Sequence, residues 1–237
     1  MGSDASVVTC SWRPIRWIGR DHRAPARLPG ARGRPVTTQQ AGNKPSQLPD
    51  GRDRLPPGQR LTDGWPVLTY GSTPRIDLAT WEFRIFGLVE DEKRLSWDEF
   101  NALPQIDTTT DIHCVTTWSR YDNRWQGVRF RDVMDLVDVL PEASEVMFHS
   151  YGGYTTNVPL EELMGDDAMF AHSHDGQPLE RDHGGPLRGM IPHLYFWKSA
   201  KWVRGIEFLP DVRPGFWEMY GYHIHGDPWK EERYVGD

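Results

Sequence analysis

Apolar and polar residues alternate in several short segments between residues 81 and 209, as they do in half-buried β-strands. Segment 81–85 alternates strictly, and the β-branched segment 108–115 predicts a strand that brings Cys114 to its end. Further strands are predicted at 146–150, 154–158, 168–171, 187–191 and 202–209. The chain is therefore expected to be rich in short strands.

The same pattern predicts only short helices. Ser96 and Glu99 have the spacing of a capping box, so a helix is expected to run through residues 100–103 and to end before Pro104. Helical spacing also marks 130–140, and a short helix is expected at 160–164. Short helices among many strands, without regular β-α-β alternation, predict a mixed α+β fold.

Residues 1–57 differ from the rest of the chain in composition. Eight prolines interrupt any long helix or strand, so this segment is predicted to be a disordered or misassigned extension before a domain at 58–237. Residues 1–60 hold eleven Lys or Arg against four Asp, which leaves an acidic remainder in a chain of net charge −7. Because affinity for nucleic acid depends on basic contacts to phosphate, the acidic remainder argues against a nucleic-acid partner.

Cysteine content and hydropathy bear on the compartment. The two cysteines are Cys10, in the extension, and Cys114, in the predicted domain, so a stabilising disulfide is not expected. No apolar run approaches the roughly 18 residues that span a bilayer, and no secretory signal is recognised. These features predict a cytoplasmic protein without a membrane span.

Two segments contain candidate chemistry. Cys114 ends a predicted strand, and its thiolate is a soft ligand suited to a redox metal, although a buried free cysteine can also be a small apolar side chain. The second segment has adjacent glycines at 184 and 185 and then Arg188, Lys198 and Lys201, which suits a phosphate group. The alternative for this segment is a polar loop with surface lysines.

Together these segments resemble the sulfite oxidase family of molybdopterin-dependent oxidoreductases. Cys114 lies in a Cys-Val-x-x-Trp-Ser segment similar to the family's molybdenum-ligating segment, and 182–202 resembles its Asp-His-Gly-x-Pro-x-Arg…Lys-Trp pterin-binding segment. The resemblance covers roughly residues 60–210 and looks closest to the branch that contains the protein-methionine-sulfoxide reductase catalytic subunit. The Gly-Phe-Trp-Glu pattern at 215–218 is similar to small stand-alone members.

The resemblance implies a sulfite-oxidase-type molybdopterin-binding fold with a molybdenum–molybdopterin cofactor. It assigns the metal ligand to Cys114 and a substrate pocket to Trp118, Tyr154 and Trp197, with His223 at its entrance. The residues expected to bind the cofactor are Ser150, His183, Arg188, Lys198, Ser199, Ala200 and Lys201. Segment 61–67 is expected to cover one edge of the cofactor.

The sequence departs from the family at positions that concern the substrate. Sulfite oxidases place an arginine where Trp118 stands, and their second anion-binding arginine falls near Thr62. Arg120 replaces the first arginine only if its loop folds back. We therefore expect oxygen-atom transfer that reduces a neutral sulfoxide or N-oxide, in preference to sulfite oxidation. The family's haem and dimerisation domains are not recognised, so a separate electron-transfer partner, a small-molecule substrate and a monomer are expected.

Two alternatives remain open at the level of sequence. His172-x-His174 and His223-x-His225 have a spacing at which each pair points the same way on a strand, which allows a zinc-dependent hydrolase. The other alternative is a non-catalytic domain that retains the fold and binds a ligand. Metal analysis separates the first alternative from the oxidoreductase hypothesis, and substitution of Cys114 separates the second.

Overall fold

Eleven strands carry most of the fold in the part of the chain that the structure describes. The structure is a computed structural model, and it describes residues 46–237. In chain order the strands are β1 (Arg60–Leu61), β2 (Glu82–Gly87), β3 (Lys93–Ser96), β4 (Ile106–Cys114), β5 (Trp118–Arg129), β6 (Glu145–Ser150), β7 (Thr155–Pro159), β8 (Met169–His174), β9 (Gln177–Pro178), β10 (Arg188–Met190) and β11 (Val203–Leu209). The helices are α1 (Trp97–Asn101), α2 (Phe130–Met134), α3 (Phe216–Met219) and two 3-10 turns at Leu160–Leu163 and Arg181–His183.

The strands form two sheets. The first has the order β1-β5-β8-β10, with β4 paired to β5 and β9 paired to β8, and the second has the order β3-β2-β11-β6-β7. Both sheets are mixed, because β1 runs parallel to β5 and β11 runs parallel to β2 while the remaining pairs are antiparallel. This is the α+β class predicted from the sequence, with strand-rich sheets and short helices.

The main core lies between the two sheets. Phe83 of β2 meets Phe170 of β8 with ring centroids 5.1 Å apart, so aromatic side chains from both sheets interdigitate. Along β2 the residues alternate, since Phe83 and Ile85 are fully buried whereas Glu82 and Arg84 are half-buried. The strand predicted at 81–85 is thereby confirmed, and its apolar face supplies part of the core.

The helices agree with the predictions in kind but are shorter. The capping box before α1 is present: Ser96 N donates to the Glu99 carboxylate at 2.8 Å, and Glu99 N donates to Ser96 Oγ at 3.3 Å. The helix predicted at 130–140 ends already at Met134. Its second half turns away because Val139 bridges to Val89 in an antiparallel pair, so pairing between segments outweighs the helical spacing.

Strand β5 is not predicted by the apolar pattern. Its sequence is largely polar, and the side chains of Ser119 and Asn123 are fully buried on it. The strand exists because it is paired on both sides, with β4 along one edge and with β1 and β8 along the other. Asn123 Nδ2 also donates to Thr110 O of β4 at 3.2 Å, which satisfies a polar group that periodicity alone cannot place.

Residues 46–57, which directly precede the predicted start of the domain, pack against its strands. Arg54 is buried, donates to both carboxylate oxygens of Asp111 at 2.6 and 2.7 Å, and also pairs with Asp122. Residues 46–57 are therefore held by β4 and β5, earlier than the predicted start at 58. Residues 1–45 of the predicted extension, including Cys10, lie outside the described residues. Within 46–237, no helix is both long enough and apolar enough to cross a membrane.

Candidate functional site

The turn between β4 and β5 presents Cys114. The hairpin pairs Cys114 with Trp118, and Thr117 N donates to Cys114 O at 3.0 Å. Thr117 has a φ of 70°, which is an uncommon conformation for a β-branched residue and one that clusters at functional sites. The turn therefore has one defined backbone shape that places the thiol at its start.

Two side chains from distant parts of the chain fix this turn. Gln59 Nε2 donates to Cys114 O at 3.2 Å, and Arg233 Nη1 donates to Val115 O at 2.9 Å. Neither contact is implied by the sequence around the cysteine. The position of the thiol consequently depends on segments before β1 and after α3, not on the hairpin alone.

The Cys114 thiol is largely buried, with Sγ 3.2 Å from Thr116 Oγ1. Burial raises the pKa of this thiol above its ordinary value, so the protein alone keeps it protonated near neutral pH. A bound metal ion reverses that preference, because a coordinating thiol is deprotonated outright. The side chain thus suits a soft metal ion.

A cavity of about 420 Å³ adjoins Cys114. That volume is in the range of sites for small molecules and cofactors. The predicted site residues that line it are Cys114, Trp118, Tyr154, Arg188, Trp197, Ser199, Ala200 and Lys201. Among all the described residues that line this cavity, only Arg188 and Lys201 are charged.

Arg188 is a buried cation without a carboxylate partner in the described part of the chain. It is 1% exposed, its Nη1 donates to His183 O at 2.6 Å, and its Nη2 donates to Ser199 O at 2.8 Å. Its Nε has no hydrogen-bond partner, although the guanidinium lies 4.1 Å from the centroid of Phe196. Burial lowers the pKa of Arg188 to about 9. Burying a cation without a carboxylate partner is unfavourable, and an anionic ligand beside Arg188 would supply the negative charge that the protein does not.

Lys201 lines the cavity, whereas His183 does not line it but contacts the lining residues Trp65 and Arg188. Burial, with the nearby charge of Arg188, lowers the pKa of Lys201 to about 8, and Lys201 Nζ donates to Thr69 Oγ1 at 2.8 Å and to Asp182 O at 2.6 Å. His183 stacks on Trp65 with centroids 3.8 Å apart, and its buried Nδ1 has no partner. Burial lowers the pKa of His183, so its ring is neutral at pH 7 and offers one donor and one acceptor.

The glycines before Arg188 allow this close packing. A Cβ added to Gly185 would lie 2.0 Å from Leu179 O, and one added to Gly184, whose φ is 110°, would lie 3.1 Å from Lys201 Cα. A side chain at Gly184 would meet Lys201 and Arg188, and one at Gly185 would meet the backbone of Leu179. Both positions therefore need glycine for packing within the protein, and the expected approach of this backbone to a ligand stays a prediction.

Lys198 has a different environment from the one predicted. Its side chain is fully buried, and its Nζ lies 2.6 Å from Glu218 Oε1 and donates to Asn157 O at 2.9 Å. It does not line the cavity. Lys198 was expected to bind the cofactor; that role stays a prediction, and the structure shows its charge paired with Glu218 inside the protein.

His223 and Ser150 also lie outside the lining of the cavity. His223 Nδ1 accepts hydrogen bonds from the backbone N–H groups of His225 and Gly226, both at 3.2 Å, so this ring orders the C-terminal segment. The expected position of His223 at the substrate entrance stays a prediction, and its side chain does not line the cavity. Ser150 is buried with an unpartnered Oγ at the end of β6, directly before the cavity-lining pair Gly152-Gly153.

The cavity contains aromatic residues that sequence reasoning did not assign to it. Five of them come from two segments outside the cysteine and pterin segments, namely Trp65, Tyr70, Phe216, Trp217 and Tyr222. The available signals were the expected cover at 61–67, which contains Trp65, and the aromatic pattern that follows Gly215. Neither signal indicates that the two segments meet on one cavity, which only the tertiary structure provides.

The histidine pairs do not form a metal site. Among residues 46–237, no group of three or more His, Cys, Asp or Glu is arranged to hold a metal ion. His174 lies beside Arg120 and Asn123, and Arg120 is hydrogen-bonded to Asp175 at 3.1 Å. Arg120 therefore does not return to the cavity to replace the arginine that is absent at Trp118.

The cavity is lined by a thiol that suits a soft metal ion and by a buried arginine without a carboxylate partner. Such a site is typical of a protein that binds an anionic, metal-containing cofactor. Residues 70–217 match the family model described as the oxidoreductase molybdopterin binding domain. This chain therefore belongs to the molybdopterin-binding oxidoreductases of the sulfite oxidase type, and its cofactor is molybdenum–molybdopterin.

Individual proteins support the same assignment. The chain is 47% identical over 189 residues to the uncharacterized oxidoreductase YuiH of Bacillus subtilis, covering 79% of this chain and 96% of that protein. It is 28% identical over 173 residues to a putative protein-methionine-sulfoxide reductase subunit, YedZ1, of Azospira oryzae, covering 72% of this chain and 66% of that protein. Arabidopsis thaliana sulfite oxidase is 24% identical over 244 residues, with 83% and 62% covered.

A solved structure supports the fold. The sulfane dehydrogenase SoxCD from Paracoccus pantotrophus aligns with a TM-score of 0.54 at 20% identity, covering 59% of this chain and 40% of that one. The predicted sulfite-oxidase-type fold is therefore confirmed.

Proposed function

We propose that this enzyme transfers an oxygen atom from a neutral sulfoxide or N-oxide and thereby reduces it. The observation that carries the proposal is the distribution of charge in the cavity. Trp118 stands directly after the cysteine turn, and the two charged lining residues, Arg188 and Lys201, belong to the predicted cofactor-binding segment. An anionic substrate would find no further positive side chain in this lining, whereas a neutral one needs none.

The residues of the cavity, with His183 next to it, divide into cofactor and substrate roles. Cys114 is proposed as the protein ligand to molybdenum, and His183, Arg188, Ser199, Ala200 and Lys201 as the residues that hold the pterin and its phosphate. The unpartnered Nε of Arg188 and Nδ1 of His183 supply hydrogen-bonding capacity for an anion and a polar ring. When bound, the cofactor supplies the two-electron redox chemistry of oxygen-atom transfer.

The protein's own contribution is orientation and exclusion of water. Gln59 and Arg233 hold the cysteine turn, and the buried ring of Trp118 belongs to the same apolar cluster as Cys114 and Val115. Tyr154 Oη donates to Trp197 O at 2.6 Å, so these two lining residues are fixed relative to each other. A pre-ordered cavity of this kind reduces the cost of placing the substrate.

Reduction of the substrate consumes two electrons, and we propose that a separate redox protein delivers them. The relative from Azospira oryzae is named as a subunit of a putative reductase, which supports a partner for that protein and motivates the same search here. The cytoplasmic location and the monomeric state expected from the sequence stay predictions.

The test uses holoenzyme made in a host that produces the cofactor. We expect about one molybdenum and one pterin per chain, and reoxidation of a reduced viologen dye by an organic sulfoxide or N-oxide. Cys114→Ser should abolish turnover, and Cys10→Ser, the matched control at the other cysteine, should not. One equivalent of zinc without molybdenum would contradict the proposal, as would sulfite oxidation at a higher kcat/KM than any sulfoxide or N-oxide reduction.

A further inference from the structure

Five aromatic side chains form a continuous face of the cavity. Tyr70, Trp197, Phe216, Trp217 and Tyr222, here called the aromatic wall, all line it. Trp217 stacks on Tyr222 with centroids 5.2 Å apart and planes inclined by 18°, Trp197 meets Tyr222 edge-on at 5.1 Å, and Tyr70 meets Trp217 edge-on at 5.9 Å. Tyr222 lies beyond the residues matched by the family model.

The aromatic wall is held rigidly by buried polar contacts behind it. Trp197 Nε1 donates to Glu218 Oε1 at 3.0 Å, and Thr156 Oγ1 donates to the same oxygen at 2.9 Å. Glu218 is buried on α3 between Trp217 and the rest of the fold, and it is paired with Lys198. Rings fixed in this way lose little conformational freedom when a ligand packs on them.

The charges that line the cavity determine whether the aromatic wall suits a cationic or a neutral ligand. Aromatic cages bind quaternary ammonium groups through cation–π attraction. In this cavity the charged lining residues among 46–237 are both cations, Arg188 and Lys201, and no carboxylate lines it to attract a cationic ligand. A neutral apolar group therefore fits the aromatic wall better than a cation does.

We propose that the aromatic wall binds the organic substituent of the substrate, so that the enzyme selects sulfoxides with a flat aromatic or bulky apolar group. This inference rests on the proposed sulfoxide reduction at the same site. Aromatic rings stack on one another in offset or edge-on geometry, and sulfur makes favourable contacts with ring edges. The small substrate dimethyl sulfoxide offers only methyl groups and leaves most of the wall uncovered.

The reaction balances with an external reductant. A sulfoxide R–S(=O)–R′ takes two electrons from a reduced carrier, such as a viologen or a redox protein, and two protons from solvent. The S–O bond breaks, the oxygen leaves as water, and the thioether R–S–R′ is released. The aromatic wall takes part only by holding R.

The first measurement compares kcat/KM for methyl phenyl sulfoxide and dimethyl sulfoxide with holoenzyme. We expect a preference for the aryl substrate of at least about tenfold, and we expect Trp217→Leu and Tyr222→Leu to reduce it several-fold, mainly through KM. Phe86→Leu is the matched control, because it is also an aromatic-to-leucine change, at a half-buried ring on β2 that does not line the cavity and contacts His149 instead. It should leave the ratio unchanged.

A second measurement needs no turnover. Binding of methyl phenyl sulfone, followed by quenching of tryptophan fluorescence, should be about tenfold weaker in Trp217→Leu and Tyr222→Leu than in the parent or in Phe86→Leu. If no sulfoxide is reduced but the sulfone binds in this pattern, the proposed function fails and the binding role of the wall survives. Equal kcat/KM for the two sulfoxides, or tighter binding of benzyltrimethylammonium than of the sulfone, would overturn the inference.

Discussion

Two buried cations, Arg188 and Lys198, differ in what surrounds them. Lys198 is fully buried and lies 2.6 Å from a carboxylate oxygen of Glu218, with further contacts to Asn157. Arg188 is buried to the same degree, but its Nε has no partner and its other contacts are to carbonyl groups. Only Arg188 lines the cavity.

The comparison distinguishes a buried charge that stabilises the fold from a buried charge that can bind a ligand. Burial of either side chain is unfavourable for folding by itself, because each charged group loses its hydration. A carboxylate partner inside the protein identifies Lys198 as part of the scaffold behind the aromatic wall. The missing partner identifies Arg188 as a cation that fits an external anion. The following predictions test this distinction, from the largest expected effect to the smallest.

Breaking the Lys198–Glu218 pair should have the largest effect on stability. Glu218→Gln keeps the shape of the side chain but leaves the Lys198 charge buried without an anion, which costs about 3–5 kcal/mol. Chemical denaturation of the cofactor-free protein measures it. The double variant Lys198→Met, Glu218→Leu should recover most of the loss, because it removes both charges. A loss below about 1 kcal/mol in the single variant would show that the pair is not the structural charge described here.

Removing Arg188 should instead reduce cofactor content. In Arg188→Met the buried site loses its main cation, so pterin and molybdenum per chain should fall at least about tenfold. The stability of the cofactor-free protein should change less than in Glu218→Gln, because removal of an uncompensated buried charge offsets the two lost hydrogen bonds. Arg204→Met, at an exposed position on β11, is the control. Full cofactor content in Arg188→Met would refute the anchoring role.

The sequence was sufficient to select Cys114, Arg188 and Lys201 as candidates, and the structure places all three on one cavity, but the sequence did not indicate their partners. Cys114 and Arg188 stand in local motifs, so residue type and spacing are enough to select them. Lys198 carries the same charge in the same segment as Lys201, and its pairing with Glu218 depends on a contact twenty residues away in the chain. Local sequence therefore cannot distinguish the two lysines.

The class of the fold was predicted from the sequence, but several of its elements were not, for a similar reason. Strand β2 and the capping box of α1 are encoded by neighbouring residues, and both were predicted. Strand β5 is polar and depends on partners on both edges, and the aromatic wall depends on residues 70 and 216–222 meeting across the cavity. Such features arise from tertiary packing, which a periodic pattern does not contain.

The third prediction concerns the charge of Lys201, whose pKa burial and Arg188 lower to about 8. Protonated Lys201 favours an anion, so binding of inorganic pyrophosphate to the cofactor-free protein should weaken about fivefold as the pH rises through this value. His183 is already neutral there and adds no charge change of its own.

Isothermal titration between pH 7 and pH 10 measures this decline in affinity. In Lys201→Met this decline should disappear. Identical pH profiles in the parent and in Lys201→Met would exclude Lys201 from the anion site.

The smallest effect is expected at a third cation, His225, which is partly exposed. Burial lowers the pKa of His225, but hydrogen bonds to Glu162 at 2.6 Å and to Glu232 at 2.7 Å outweigh it, so the net pKa is raised. A raised folded-state pKa gives stability that is fully present below the unfolded value of 6.5 and is lost as the pH rises through the folded value.

His225→Gln should therefore destabilise the protein by about 0.5–1 kcal/mol at pH 5.5 and by less at pH 9, measured by urea denaturation. His149→Gln is the matched contrast. Burial lowers the pKa of His149 despite its contact with Glu207, so this substitution should become less harmful as the pH falls. The contrary result is that both variants lose the same free energy of unfolding at every pH. That result would show that pairing with a carboxylate does not decide whether a buried cation is stabilising. The difference between Lys198 and Arg188 would then need another physical explanation.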